Sequence, residues 1–385
     1  NYMYILNLMF LKNIKKIFKL KFPLLSNKLI SFRDNNKFIR FILSKKNIDP
    51  NKNIHGKQIL NFTNSQNNSD IFLSYIFRPK LETNTFQNIE FKNNSINTAI
   101  IIQGPIKNYE NFVLETIKIY LKIFPESLII LSTWKDEVND IFFNKIKNFK
   151  NFHLILNTKP ISKYNVNLQI LSTSQAIDFA LKKKYRYSLK TRTDCRIYNP
   201  NTLIFLKSLL ETFKVKNNND VKNRILASSV DSRIYRVYGL TDICLFSETE
   251  DLSKYFINES YEKSLSKLNI NLNKPLINDT AVINEIFLCA RYISNSNHDL
   301  KWSLEDWWEK CREMFCVFDA TSIDLFWYKY HWKYEQRFTN NYTSEFNQSL
   351  QFADWLNIYN NKTEFYNKFN KEKWNFKNGS LEKKN

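Results

Sequence analysis

The chain has 385 residues, 43% of them hydrophobic, and a formal charge of +20. That length and apolar content support a real core in one large domain with additions, or in two domains, and exclude a wholly disordered chain. Only 4 glycines occur, which excludes a Walker loop or a GxGxxG fingerprint, so a phosphate site here must use side chains, a metal or a helix N-terminus.

The charge has two readings. It suits an anionic partner: nucleic acid, an acidic membrane surface or an acidic glycan. It also suits biased codon usage, because Asn, Lys, Ile, Phe and Tyr are all abundant together. The 5 cysteines include no CxxC pair, and the 4 histidines are scattered. A zinc site is therefore not expected, and free thiols are.

In chain order, residues 1–95 are basic, Asn-rich and weakly periodic. Met3 to Leu25 mixes short apolar groups with Lys12, Lys15, Lys16, Lys19 and Lys21. No small-residue cleavage site follows, so it does not read as a secretory signal. It reads as a basic amphipathic helix for an anionic membrane, as a helix packed on the main domain, or as a loose tail. No segment has the apolar run needed to span a bilayer.

From Thr98 the texture changes. Thr98 to Ile102 is a continuous apolar run followed by Gln103-Gly104-Pro105, which predicts a buried strand and a turn. Val113, Ile117, Tyr120/Leu121 and Phe124 recur at helical spacing until Pro125. Ser127–Ser132 predicts a second buried strand, and Val138, Ile141/Phe142, Ile146 and Phe149 a second helix. Phe152–Leu156 predicts a third strand, and a helix follows from about Asn167 to Lys183. Strand and helix alternate as in a mostly parallel sheet with helices on its faces.

Tyr187 to Asp194 reads as the fourth strand, apolar at first and charged at its end. Alternate residues share a face, so Lys190, Arg192 and Asp194 point the same way. A buried parallel strand should stay apolar. One that ends in Lys, Arg and Asp is better explained as running into the ligand crevice that open α/β sheets carry at their carboxyl edge. An Asp beside an Arg suits a metal-bound diphosphate, with the carboxylate on a hard cation and the guanidinium on phosphate oxygens. The competing reading of Asp194 is a capped turn. Ile225–Val230 and Thr241–Phe246 are further strand candidates, and Asp279 is placed to cap a helix running through Arg291. After His298, Trp302, Trp307, Trp308, Trp327 and Trp332 crowd together, as an aromatic core or as a stacking surface. The organisation expected is a basic N-terminal region over 1–95, a catalytic domain over 96–300 and an aromatic-rich extension over 301–385 with a loose tail.

Several phrases in this order resemble the WavE lipopolysaccharide synthesis family. They are Ile100 to Ile106, Glu115 to Tyr120 with Phe124-Pro125, Leu128 to Trp134, Asn165 to Ile170 with Ser172-Thr173, and Leu189 to Ile197. Thr241-Asp242, Asn284-Glu285 and the Lys329-Tyr330 region continue it more weakly. The resemblance implies a GT-A-like nucleotide-sugar transferase fold and a role in surface-glycan synthesis. Enzymes of that fold usually hold the donor through Asp-x-Asp and a divalent metal. Here the comparable phrase is Arg192-Thr193-Asp194, with an arginine where a second acid would stand. Metal dependence on Mn²⁺ or Mg²⁺ through Asp194 is thereby in question.

In such an architecture Gln103, Gly104 and Pro105 border the nucleotide, or simply make a tight turn. Asn167 and Gln169 reach it from a helix start, or cap the helix. Lys190, Arg192 and Asp194 complete the expected donor set. An inverting transferase needs one carboxylate as general base, for which Asp242, Glu285 and Asp231 are the candidates. The function expected is transfer from a nucleotide sugar to a lipopolysaccharide or other glycan or glycolipid acceptor. The enzyme would be cytoplasmic and peripheral at an anionic membrane, with no specific nucleic acid partner. The alternatives are a basic nucleic-acid-binding protein and an inactive transferase-like partner subunit.

Overall fold

The computed structural model describes residues 78–85, 97–106, 111–160, 165–215, 221–268, 284–329 and 349–362, with the backbone of 374–377 and 380–383. The chain divides into two units, Asn1–Phe77 and Arg78–Asn385, and every element described belongs to the second. The expected N-terminal amphipathic helix, the Asp279 cap and Trp332 lie outside the described residues.

The first half alternates as the apolar pattern predicts. β1 (Thr98–Gln103) has every residue buried. α1 (Phe112–Ile123) stops at Phe124 because Pro125 cannot continue it and disfavours helix in the residue before. β2 (Leu128–Trp134) leads to α2 (Asp140–Ile146), whose cap Asn139 accepts a 2.9 Å hydrogen bond from the Phe142 N–H. β3 (Phe152–Asn157), α3 (Asn165–Lys182) and β4 (Tyr187–Arg192) come next. After β5 (Cys195–Ile197) and α4 (Thr202–Thr212) come β6 (Ile225–Ser228) and β7 (Leu245–Glu248). α5 (Thr249–Tyr255), α6 (Tyr261–Lys267), α7 (Asn284–Asn295) and α8 (Leu304–Met314) precede β8 (Phe315–Phe318). β9 (Leu325–Trp327), α9 (Phe352–Tyr359) and the hairpin β10 (Trp374–Lys377) with β11 (Ser380–Lys383) complete the described elements.

This is an α/β fold. Its seven-stranded sheet has the order β3-β2-β1-β4-β7-β6-β8. Neighbours are parallel except at β7, which is antiparallel to both β4 and β6. The chain steps outward from β1 to β2 and β3, then returns to place β4 on the other side of β1. Such a reversal leaves a crevice beyond the carboxyl ends of the two central strands.

Two expectations shift. The strand predicted at Thr241–Phe246 begins only at Leu245. Before it, the Thr241 N–H bonds Ser232 Oγ at 3.1 Å and the Ile243 N–H bonds Thr241 Oγ1 at 3.2 Å. Local hydroxyls take the backbone donors a ladder would need. The sheet also does not stop near residue 300: β8 pairs with β6, and β9 with β5, so the segment expected as an extension completes both sheets. Three of its described tryptophans serve the core. Trp307, Trp308 and Trp355 are buried, and each indole N–H donates to a backbone carbonyl. Burying indoles with that donor satisfied avoids a desolvation cost of about 1–3 kcal/mol each.

Arg196 shows how the outer layer is tied down. Its buried guanidinium donates to Thr116 Oγ1 and the Phe112 carbonyl, both at 2.9 Å, and to the Lys80 carbonyl at 3.0 Å. A charge taken from water needs such full satisfaction to be tolerated.

Candidate functional site

A cavity of about 450 Å³ opens where the crevice is expected. Its floor is the end of β1. Gln103 Nε2 donates to Ser172 Oγ on α3 at 2.9 Å, which fixes the amide against the helix. Gly104 sits at φ +126°, where a side chain is strained, and a Cβ there would lie 3.0 Å from Thr193 Oγ1. Thr193 in turn donates its N–H to the Gln103 carbonyl at 3.0 Å and its hydroxyl to the Pro105 carbonyl at 2.8 Å. The loops after β1 and β4 are thus sewn together, and any side chain at the seam would be strained and would crowd Thr193.

One wall is built from the end of β2 and the loop after it. Trp134 lines the cavity, as do Glu137 and, from beyond β3, Lys159. Lys159 Nζ lies 2.7 Å from Asp136, 3.0 Å from Glu137 and 6.0 Å from the centre of the Trp134 ring. Glu137 Oε2 also accepts from the Ile106 N–H at 2.6 Å. Asn165 and Asn284, the first residues of α3 and α7, both line the cavity. Two helix N-termini therefore bring partial positive charge to it. Gln169 is on the wall too. Its Oε1 accepts from Asn284 Nδ2 at 3.4 Å, while its buried Nε2 has no hydrogen-bond partner. A buried amide donor on a cavity wall is one that a ligand oxygen can satisfy.

The charged end of β4 faces this wall. Arg192 grips Asp194 with a fork, Nε to Oδ1 at 2.9 Å and Nη2 to Oδ2 at 3.1 Å. Trp327 Nε1 donates to the same Oδ2 at 3.0 Å, and the Arg192 guanidinium lies 5.5 Å from the Trp327 ring centre. Pairing of β5 with β9 sets Cys195 opposite Trp327, and the Tyr328 N–H donates to the Asp194 carbonyl at 2.9 Å. Tyr328 and Lys329 reach the cavity in this way. Burial alone would raise the Asp194 carboxyl. The Arg192 charge and its hydrogen bonds, with those from Trp327 and the charge of Lys329, hold it below the usual carboxylate range. Burial works against the Arg192 charge, and the adjacent Asp194 more than offsets it.

Of the residues singled out from the sequence, Gln103, Gly104, Pro105, Gln169, Arg192 and Asp194 meet in the cavity lining. Lys190 does not. It is fully buried, its Nζ donates to the Asp242 carbonyl, and burial lowers its pKa to about 8 despite the Asp242 charge. Asn167 does not either. Its Oδ1 accepts from the Tyr261 N–H at 2.6 Å and its Nδ2 donates to Glu262 at 3.0 Å, so it pins α6 to α3.

Asp242, Glu285 and Asp231 lie outside the cavity lining but near one another. Burial, followed by the charges of Asp242 and Asp231, raises Glu285 well above the usual carboxylate range. Asp242 is buried with Oδ1 unpartnered, and its charge is felt by Arg192. Asp231 pairs with Arg233 Nη2 at 3.0 Å from a left-handed backbone, φ 66°. Glu285 follows Asn284, which does line the cavity.

Sequence reasoning missed Trp134, Glu137, Lys159, Asn165, Asn284, Trp327, Tyr328 and Lys329 as site residues. Trp134 carries the one usable signal, standing at a strand's carboxyl end as Gln103 does. The others arrive through pairing and helix placement.

No family model matches the chain, and no curated protein matches it. Among solved structures it is similar to mannose-1-phosphate geranyltransferase from Thermus thermophilus, with 14% identity and a TM-score of 0.24 over 34% of this chain and 41% of that one. It is also similar to a glycosyltransferase involved in the glycosylation of the major capsid of PBCV-1, with 13% identity and a TM-score of 0.24 over 40% of this chain and 61% of that one. The chain thus covers less than two thirds of either protein. The α/β assignment rests on the sheet order itself.

Among the described residues no helix is long and apolar enough to cross a membrane, and no group of three or more His, Cys, Asp and Glu is arranged to hold a metal ion.

Proposed function

We propose that this chain is a GT-A-like glycosyltransferase that uses a nucleotide-sugar donor. The observation that carries the reading is the cavity at the β1/β4 reversal, walled by Arg192, Lys159 and Lys329 together with the N-termini of α3 and α7. Its volume lies within the range of small-molecule sites, about 300–1,000 Å³. Its charge suits a diphosphate, and its amides Gln103, Gln169, Asn165 and Asn284 suit a polar base or sugar edge.

In the reaction an acceptor hydroxyl attacks the anomeric carbon, and the bond from that carbon to the diphosphate oxygen breaks. The nucleotide departs with the bonding electrons. The cations on the cavity wall stabilise the charge that develops on it, a preorganised electrostatic contribution. For inversion, a carboxylate takes the hydroxyl proton. Glu285, Asp242 and Asp231 are the candidates, with Glu285 favoured because Asn284 beside it borders the cavity. Lipopolysaccharide or another surface glycan as acceptor, and a peripheral position at an anionic membrane, rest on the resemblance to the WavE family and on the +20 charge.

Nucleic-acid binding gains little from the site. The tryptophans Trp307, Trp308 and Trp355 are buried rather than presented for base stacking. The test is thermal stabilisation by a panel of nucleoside diphosphates and their sugar conjugates, then donor hydrolysis or transfer. A folded sample that responds to none of them overturns the reading.

A further inference from the structure

A GT-A-like fold usually places a divalent cation between an acidic strand end and the donor's diphosphate. Asp194 is the residue in that position, and both of its oxygens already accept hydrogen bonds. Oδ1 accepts from Arg192 Nε at 2.9 Å, and Oδ2 accepts from Arg192 Nη2 at 3.1 Å and Trp327 Nε1 at 3.0 Å. A hard cation such as Mg²⁺ must approach a carboxylate oxygen to about 2.1 Å and collect close to six oxygens. Here the approach would displace a planar guanidinium fork and set two like charges side by side. The fork is held from behind by the Trp327 ring. The cavity's other carboxylate, Glu137, is also taken, by Lys159 at 3.0 Å and the Ile106 N–H at 2.6 Å. The donor set therefore does not fit the cation.

What the cavity does offer a phosphate is cationic. The fork uses Nε and Nη2 of Arg192 and leaves Nη1, on a side chain 28% exposed. Lys159, 39% exposed, shares its charge with Asp136 at 2.7 Å and Glu137 at 3.0 Å, so a phosphate must compete with those carboxylates for it, and Lys329 lines the same cavity. The role of Asp194 is then to orient Arg192 rather than to ligate a metal.

We infer that the donor's diphosphate is neutralised by Arg192, Lys159 and Lys329 with the two helix N-termini, and that donor binding does not require a divalent cation. This rests on the nucleotide-sugar reading of the same cavity.

The experiment titrates nucleoside diphosphates into the full chain by calorimetry, in EDTA and again in Mn²⁺. Mn²⁺ alone is titrated in parallel, with unbound ion read by electron paramagnetic resonance. The expected result is a nucleoside diphosphate affinity that is equal within about twofold in the two buffers, with no Mn²⁺ uptake by the protein alone. Arg192→Lys keeps the charge and loses the fork, and Lys159→Gln changes an exposed residue that does not support the core. Each is expected to weaken binding in EDTA by about tenfold, the worth of one charge-assisted hydrogen bond. Binding that appears only with Mn²⁺, or that Mn²⁺ tightens tenfold or more, overturns the inference and leaves the donor reading standing. Failure of every nucleoside diphosphate in both buffers, in a folded sample, removes the donor reading and this inference with it. Unchanged EDTA binding in both variants also overturns it.

Discussion

Lys190→Met separates a residue that supports the site from one that touches its ligand. Lys190 sits on β4 two residues before Arg192, but its side chain is fully buried with Nζ on the Asp242 carbonyl. Burial lowers its pKa from 10.5 to about 8. The sign follows from proton counting. Below pH 8 both states are protonated, and the native state carries the whole cost of a buried charge. Between pH 8 and 10.5 the native state has shed the proton and the unfolded state has not, so wild-type stability rises with pH on this account. At about 1.4 kcal/mol per pH unit, the cost removed across that window is roughly 3 kcal/mol. Methionine keeps the stem's volume without the charge, and leaves the Asp242 carbonyl short of a donor at a cost of about 1–3 kcal/mol. Near neutral pH the two effects nearly cancel. The informative quantity is the stability difference between variant and wild type, from urea unfolding at several pH values. That difference should move against the variant by roughly 3 kcal/mol from pH 8 to 10.5. The buried cysteines, Cys244 among them, with its thiol pushed up by burial to about 12, pull stability down over the same range. They do so in both proteins and largely cancel. Donor affinity should stay within about twofold. Parallel stability curves would refute the buried-charge argument. A folded variant that has lost donor binding would place Lys190 in contact with the ligand.

Three further outcomes are expected. Gly104→Ala forces a Cβ to 3.0 Å from Thr193 Oγ1 at φ +126°, and should cost about 1–3 kcal/mol in urea unfolding while loosening the loops on both sides of the cavity. Glu285 keeps its proton in the native state at pH values where the unfolded chain has lost it, so wild-type stability should fall as pH rises above the ordinary carboxylate range. Glu285→Gln should flatten that fall, and if Glu285 is the base the variant should lose about 10²–10⁴ in kcat at unchanged donor KM; full activity would leave Asp242 and Asp231. Trp327→Phe keeps the ring over Arg192 and removes the hydrogen bond to Asp194 Oδ2, so the Asp194 carboxyl should titrate higher by NMR and stability should drop by about 1–2 kcal/mol.

Local pattern alone carried the strand–helix alternation from Thr98 to Arg192. Each of those elements is written in short-range periodicity, with Pro125 as punctuation. The charged end of β4 was legible for a similar reason. A strand bordered by strands on both sides has no cause to finish in Arg192 and run on into Thr193-Asp194 unless that end leaves the packed interior. Gly104 is one of 4 glycines in the whole chain, and it stands where a loop must pass against another.

What only the tertiary structure decided depends on contacts far apart in sequence. Nothing near Lys190 says that its alternate-residue face turns into the core while Arg192, two positions on, clears it. Period-2 geometry assigns a face but not the point at which the covering layer ends. Asn167 read as a helix-start amide for a ligand because its partners, the Tyr261 N–H and Glu262, lie more than 90 residues away. Trp327 and Lys329 join Asp194 through the β5–β9 pairing, and β8 reaches the main sheet from beyond the expected domain boundary. Strand pairing is set by which edges the finished layers leave open, so a linear pattern can nominate a strand but not its neighbour. Residue order put a carboxylate and a guanidinium near a crevice; folding locked the two together in a two-point fork and added Trp327 to it.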